Sequence, residues 1–340
     1  MNVVTGAAGL VGANLVRALL AQGQPVRAVI HRDRRAVAGL PLDLAEADLA
    51  QPASLRGAFA GAGTVYHAAG LVSVSTDRWI ELETANVAGT RNVVQACLAC
   101  GVRRLVFFSS IQALQPGPPD SPIDESRPLV TGAGFPPYDR SKAAAEREVQ
   151  AGARQGLETV VIYPTAILGP CDFKPSYIGQ AVLKLASGRL PGLVKGGFDW
   201  VDARDVAAAA IKAGQAAPAG SRFILSGHWH SVPQVAGLVA ALTGQPAPRW
   251  VAPMGLAWLV APLMPFLARF TPLSSQGPAG REPLYTRVSL RALRSGPQVT
   301  HALATQQLGY QPRTLGETLA DALAWFKENG YLQPPTPAHD

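Results

Sequence analysis

Residues 3–12 read "VVTGAAGLVG", an apolar lead-in followed by Gly6, Gly9 and Gly12, with two residues between each pair. Val3 and Val4 suit a short buried strand, and "LVGANLVRALLAQG" (10–23) has helical spacing with a closing glycine. A turn between a strand and a helix offers free N–H groups and a positive dipole end to a phosphate. Here Gly6 permits the tight turn, Gly9 lets a pyrophosphate come close, and Gly12 lets the helix pack on the strand. The same glycines would also serve a plain tight turn in a glycine-rich chain, so the rest of the sequence decides.

Downstream, strands and helices alternate. "VRAVI" (26–30), the segment ending "AEADL" (45–49), "TVYHAAG" (64–70), "RLVFFSS" (104–110) and "TVVIYP" (159–164) read as strands. Helical stretches at 54–62, 86–101 and from near Tyr138 separate them. This order predicts parallel βαβ units, an α/β fold with a doubly wound sheet. The expected division is a dinucleotide-binding domain at 1–165 plus about 199–225, with "RFILSG" (222–227) as a further strand. A smaller, mostly helical substrate subdomain at about 166–198 and 226–332 and a flexible tail at 333–340 complete it. Thr314 and Glu317 form a T-x-x-E capping box ahead of the last helix. Between Gln112 and Pro137 a Pro- and Gly-rich loop precedes Tyr138, and loops of that length are often functional.

Composition narrows the function classes. With 340 residues, 48% hydrophobic and 16% charged, the chain can bury a sizeable core. Three cysteines give no disulfide framework, and no basic leader precedes Gly6; both point to the cytoplasm. Cys97 and Cys100 form a CxxC inside a helical pattern, read as core-filling thiols and not a redox pair. The net charge of +7 comes from scattered arginines without interleaved aromatics, so nucleic acid is not expected. Only "HRDRR" (31–35) is dense, and a cofactor phosphate accounts for it. "VAPMGLAWLVAPLMPFLA" (251–268) is uncharged, but Pro253, Pro262 and Pro265 divide it. Buried helices lining an apolar pocket are expected there, ahead of membrane contact. His228 and His230, in "HWH", have no acidic neighbour for a metal pair, and a loop is expected instead; no metal is called for.

T-G-x-x-G-x-x-G at 5–12 resembles the cofactor motif of the extended short-chain dehydrogenase/reductase superfamily, of the NAD-dependent epimerase/dehydratase type. Further matches follow in order. Asp48-Leu49 resemble the pair at the adenine, and "HAAG" (67–70) the turn behind the cofactor. Asn86 resembles the asparagine that kinks a helix and holds a proton-relay water. Ser110, with Tyr138 and Lys142 in "YDRSK", is similar to the catalytic serine and Y-x-x-x-K pair. "YPTAILGP" (163–170) matches the segment near the nicotinamide, except that Tyr163 stands where arginine is usual. The resemblance covers residues 1 to about 210 and implies a Rossmann fold, a nicotinamide cofactor and a homodimer through helices near 86–100 and 138–153. It implies catalysis by Ser110, Tyr138, Lys142 and Asn86. Cofactor contacts would come from Thr5, Gly6, Gly9, Leu10, Val11, Gly12, His31, Arg32, Asp48, Leu49, Ala68, Ala69, Gly70, Tyr138, Lys142 and Pro164.

The chemistry also follows from the residues. Four residues along a helix bring Tyr138 and Lys142 onto one face, where an ammonium would lower the phenol's pKa. Such a phenol can protonate an alkoxide as hydride reaches a carbonyl, with Ser110 orienting the oxygen. Strand two ends in Ile30 where an acid would select NAD(H), and Arg32 follows, so NADP(H) is favoured over NAD(H). The branch resembling dihydroflavonol reductases and 3β-hydroxysteroid dehydrogenases, acting on a small hydrophobic ketone, aldehyde or secondary alcohol, fits best. The alternatives are a nucleotide-sugar epimerase or dehydratase with tightly held NAD, and a non-catalytic redox sensor. The former would need Arg189, Lys195, Arg204, Arg222 or Arg281 to hold a diphosphate.

Overall fold

A computed structural model describes residues 1–75, 78–118, 121–267, 274–277, 280–294 and 298–332. The tail expected at 333–340 lies outside the described residues. Along the first half run β1 (Asn2–Thr5), α1 (Leu10–Ala21), β2 (Val26–Ile30), β3 (Asp43–Glu46), α2 (Pro52–Phe59) and β4 (Thr64–His67). Then come α3 (Trp79–Leu82), a π-helical turn (Glu83–Ala88), α4 (Gly89–Ala99), β5 (Arg104–Phe108), α5 (Pro137–Ala153) and β6 (Glu158–Pro164). β7 (Ala166–Leu168), α6 (Tyr177–Ala186), β8 (Leu193–Val194), β9 (Gly197–Asp202), α7 (Ala203–Ala216) and β10 (Arg222–Leu225) follow.

The main sheet is parallel throughout, in the order β10-β6-β5-β4-β1-β2-β3. Order reverses between β1 and β4, which opens a crevice at the carboxyl ends of those strands. Apart from the exposed edge strand β3, the sheet is buried on both faces, which explains its near-continuous Val, Ile, Leu and Phe strands. One face packs under α1 and α7 around Leu15, Val16, Val206 and Ile211; the other holds Leu55, Phe59, Val93 and Val149. The doubly wound expectation therefore stands.

The second half continues with β11 (His228–Ser231), α8 (Val232–Thr243), β12 (Val251–Ala252), α9 (Met254–Val260) and α10 (Met264–Leu267). A hairpin of β13 (Ser274–Gly277) and β14 (Gly280–Pro283), then α11 (Arg287–Leu293), α12 (Ala302–Leu308) and α13 (Leu315–Glu328), close the chain. A small sheet, β11-β9-β7, packs with α6, α8 and α13 around Val182, Trp200, Val239 and Leu319. The Thr314–Glu317 capping box forms as expected.

Three local expectations need correction. The "HWH" segment is strand, not loop: β11 pairs antiparallel with β9 at the edge of the small sheet. The return to the main sheet starts at α7, because 199–202 belong to β9 of the small sheet. Ala304, Leu308 and Tyr310, assigned to the substrate subdomain, pack in the main-sheet core. The loop before Tyr138 is tied at its base by Leu114↔Leu129 and further out by Ile123↔Val299, and the Glu125 carboxylate accepts from Ile224 N–H. Cys97 is buried in α4, and burial pushes its thiol up, as suits a packing residue.

Candidate active site

At the crevice, Gly6 has φ +70°, and a Cβ there would lie 2.6 Å from Ala69 N. A Cβ on Gly12 would lie 2.1 Å from Gly6 O. Both glycines are therefore required by backbone contact alone. Gly9 differs: a Cβ would meet only Gly6 O, at 3.4 Å, and the position is exposed. Gly9 is also the α1 N-cap, with no side-chain cap and no acid in the first turn. The helix-start N–H groups of Leu10, Val11 and Gly12 thus face a clear, electropositive space, and these residues fit a dinucleotide pyrophosphate.

Behind the turn, Thr5 Oγ1 lies 2.7 Å from His67 Nδ1, and His67 Nε2 lies 3.0 Å from Thr90 Oγ1. Burial, aided by the Lys142 charge, pushes the imidazole down to about 3, so His67 is a neutral packing group. This has a stability consequence. A depressed imidazole favours folding above its ordinary 6.5, and the advantage is lost as pH falls toward about 3. Each pH unit in that window costs about 1.4 kcal/mol. Denaturant titrations from neutral pH to about pH 5 should show a shallower acid loss in a His67→Asn variant; equal slopes would contradict the assignment.

Ala68, Ala69 and Gly70 carry the chain past the crevice, where a Cβ on Gly70 would be 3.3 Å from Asn86 Oδ1 and 3.9 Å from Lys142 Nζ. Asn86 sits in the π-helical turn, which accounts for the expected kink. Its amide accepts from Leu71 N–H (2.7 Å) and donates to Leu71 O and Ser141 Oγ, both at 2.9 Å. Both amide hydrogens are occupied, so the side chain holds the 71 loop against α5.

Ser110 follows β5, and its Oγ accepts from Gln112 N–H. Tyr138, in the first turn of α5, lies beside Ser110. Lys142 is buried one turn on; its Nζ donates to Phe108 O at 2.6 Å and lies 4.6 Å from the Phe107 ring centre. Ser110, Tyr138 and Lys142 thus converge beside the glycine turn. Their electrostatics differ from expectation. Burial pushes the Tyr138 phenol up to about 12, with the neighbouring Ser110 hydroxyl opposing and Asp139 adding to the rise. Burial also takes Lys142 down to about 8, against the attraction of Glu146. The ammonium points at a strand carbonyl, and desolvation outweighs it at the phenol.

Beneath lies a buried layer that sequence reasoning missed. Glu146 accepts from Ser109 Oγ (3.0 Å) and Tyr163 Oη (2.6 Å), and Arg222 Nε donates to Tyr163 Oη at 2.6 Å. Burial raises the Glu146 carboxyl, with the Tyr163 hydrogen bond and Arg222 charge opposing. Tyr163 is therefore no simple loss of the usual arginine: β10 brings a guanidinium to its hydroxyl from the neighbouring strand. The sequence signal was the Lys142-x-x-x-Glu146 spacing.

At the other end of the crevice, Asp48 caps Ala50 N–H and lies 3.8 Å from His31 Nε2, while Leu49 packs in the core beside Gly89. Asp33 pairs with Arg35 and Arg34 with Glu46, whereas Arg32 is exposed. Pro164 ends β6, and Thr165 Oγ1 donates to Asp199 at 2.7 Å. Among the described residues, no cluster of three His, Cys, Asp or Glu could hold a metal ion.

A parallel doubly wound sheet with this turn at its switch point defines a nicotinamide-dinucleotide oxidoreductase of the extended short-chain type. Residues 2–225 match the model of the NAD dependent epimerase/dehydratase family, and the chain belongs to that family. It is 38% identical to sterol demethylase protein B of Methylococcus capsulatus, covering 97% of this chain and 99% of that one. It is 26% identical to a 3-beta-hydroxysteroid dehydrogenase of Mycolicibacterium neoaurum, covering 96% and 91%. The crystal structure of gox2253 superposes with a TM-score of 0.82 at 30% identity, over 98% and 99% of the two chains. The protein is an NAD(P)-dependent oxidoreductase.

Proposed function

We propose that the chain reduces a ketone or aldehyde on an apolar skeleton, or oxidises the matching secondary alcohol, with Tyr138 as the acid–base group. The observation that carries this is the convergence of Ser110 and Tyr138 at the end of β5, with buried Lys142 one turn further along α5. When bound, a reduced nicotinamide supplies hydride. Ser110 then fixes the carbonyl oxygen, and Tyr138 passes its proton to that oxygen as negative charge develops. A phenol with a high pKa in the free protein is stably protonated, which suits an acid for the reductive direction. The buried Lys142 holds positive charge beneath it and, in the cofactor-bound protein, the ribose hydroxyls. The resemblance to proteins named for sterol and hydroxysteroid substrates supports an apolar substrate of that kind.

Of the five cations that the nucleotide-sugar reading would need, two are engaged elsewhere, while Arg189 and Lys195 stay exposed. Arg222 is drawn into the Glu146–Tyr163 layer, and Arg204 pairs with Asp202 and Asp321. The side chain of Arg281 lies outside the described residues. A homodimer through α4 and α5 in the cytoplasm is the assembly that goes with the proposal.

NADP(H) is the proposed cofactor. Arg32 is exposed while its acidic neighbour Asp33 is neutralised by Arg35, leaving a guanidinium beside the adenosine end for a 2′-phosphate. An Arg32→Ala variant is expected to raise the KM for NADPH about 10- to 100-fold and leave that for NADH nearly unchanged. Equal effects on both would contradict NADP(H) selection. Turnover assays with apolar ketones and with sugar nucleotides test the function itself. Conversion of a sugar nucleotide without net cofactor consumption would replace the reductase reading.

A further inference from the structure

The segment at 251–268 does not form the buried pocket wall that its composition suggests. Its prolines break it into α9, a 3₁₀ turn (Ala261–Leu263) and α10. One face packs: Met254, Ala257, Trp258 and Ala261 meet Val194, Leu290 and Leu293. The other face holds Leu256 (43% exposed), Leu259 (75%), Leu263 (62%) and Phe266 (64%) in the open. Trp250, just ahead of it, is 59% exposed. Large apolar side chains gathered in this way mark a contact surface.

Charge around that face identifies the partner. Arg189, Lys195, Arg249 and Arg294 are exposed. Lys195 N–H pairs with Ala252 O just before α9, Arg249 precedes β12, and Arg294 stacks on Trp258 of α9. Two copies of this chain meeting through such a face would oppose cation to cation. An anionic bilayer is complementary in both respects, with acyl chains for the leucines and headgroups for the cations. No described helix is long and apolar enough to cross a membrane, so the contact is interfacial.

We infer that α9, the 3₁₀ turn and α10 form an interfacial lip that seats the protein on an anionic lipid surface. The lip stands one helix from the candidate site. α11 packs on α9 through Leu290 and Leu293, and its Arg291 donates to Gly134 O (3.0 Å) and stacks on Phe135, close before Tyr138. Thr286, at the α11 N-cap, donates to Val74 O at 2.7 Å. The placement deepens the apolar-substrate proposal and rests on it for its purpose, since a lipid-dissolved ketone would reach the site from the bilayer. Binding itself does not depend on catalysis.

Sedimentation of the full chain with phosphatidylcholine vesicles, plain or containing about one-third phosphatidylglycerol, tests this. Wild type is expected to pellet with the anionic vesicles and be released by salt. Leu259→Ser/Leu263→Ser/Phe266→Ser is expected to lose vesicle affinity about tenfold or more, and Arg249→Glu/Arg294→Glu to lose the preference for anionic lipid. NADPH binding by both variants checks that they are folded. Wild type that stays in solution, or a serine variant that pellets equally, overturns the inference. So does light scattering that shows the serine variant converting a dimer to a monomer, which would make the face a self-contact. Anionic-vesicle binding without reduction of any apolar ketone would support the lip and overturn only the substrate proposal.

Discussion

A Tyr138→Phe variant is expected to lose about three orders of magnitude in kcat/KM while binding cofactor as wild type does. The substitution keeps the ring and its packing in α5 and removes only the hydroxyl that meets Ser110. Without that hydroxyl, the alkoxide formed on reduction would have to be protonated by solvent. The loss should therefore fall on kcat, with substrate KM changed little. The wild-type pH profile adds a second signature. Lys142 is held down to about 8, so raising pH through that value removes its charge and should lower the reductive rate, with a plateau below. Full turnover by the phenylalanine variant would remove Tyr138 from the mechanism.

The other large effect is expected at Gly12. An alanine methyl would sit 2.1 Å from Gly6 O and 2.8 Å from Ala7 Cα, both backbone atoms that cannot rotate away. Gly12→Ala should destabilise the fold by about 3 kcal/mol or more, read as a lower denaturation midpoint without cofactor. Gly9→Ala provides the contrast, because its methyl would touch only Gly6 O at ordinary contact distance and otherwise fill the clear space. That variant should keep its apo-protein stability and lose cofactor affinity. A stable Gly12→Ala protein, or a Gly9→Ala protein with normal cofactor affinity, would break this account of the turn.

The sheet was legible because its signals are local. Short β-branched runs, helical spacing and closing glycines lie within a few residues of one another, and the handedness of βαβ units orders the strands. The glycine turn was legible for the same reason, whereas Ser110 and the Tyr138–Lys142 pair stood out only through the family resemblance. What escaped depends on contacts across the chain. Arg222 meets Tyr163 only because β10 pairs with β6, so the sequence showed an absent arginine where the fold supplies one from next door. Helical spacing placed Lys142 below Tyr138 but not its ammonium, which turns to Phe108 O. Hydropathy marked 251–268 as apolar without saying which side faces solvent, and the prolines turn its leucines outward. The edge strand at "HWH" was missed because its pairing partner β9 lies some 30 residues away.

The most direct test of the central claim is isotopic. The purified protein would be given NADPH carrying deuterium at the transferable position of the nicotinamide, together with an apolar cyclic ketone. The account predicts an alcohol bearing one deuterium on the former carbonyl carbon, formed in step with oxidised cofactor and lost in Tyr138→Phe. Cofactor that binds but never transfers deuterium to any carbonyl, or that stays unconsumed while a sugar nucleotide is converted, would contradict it.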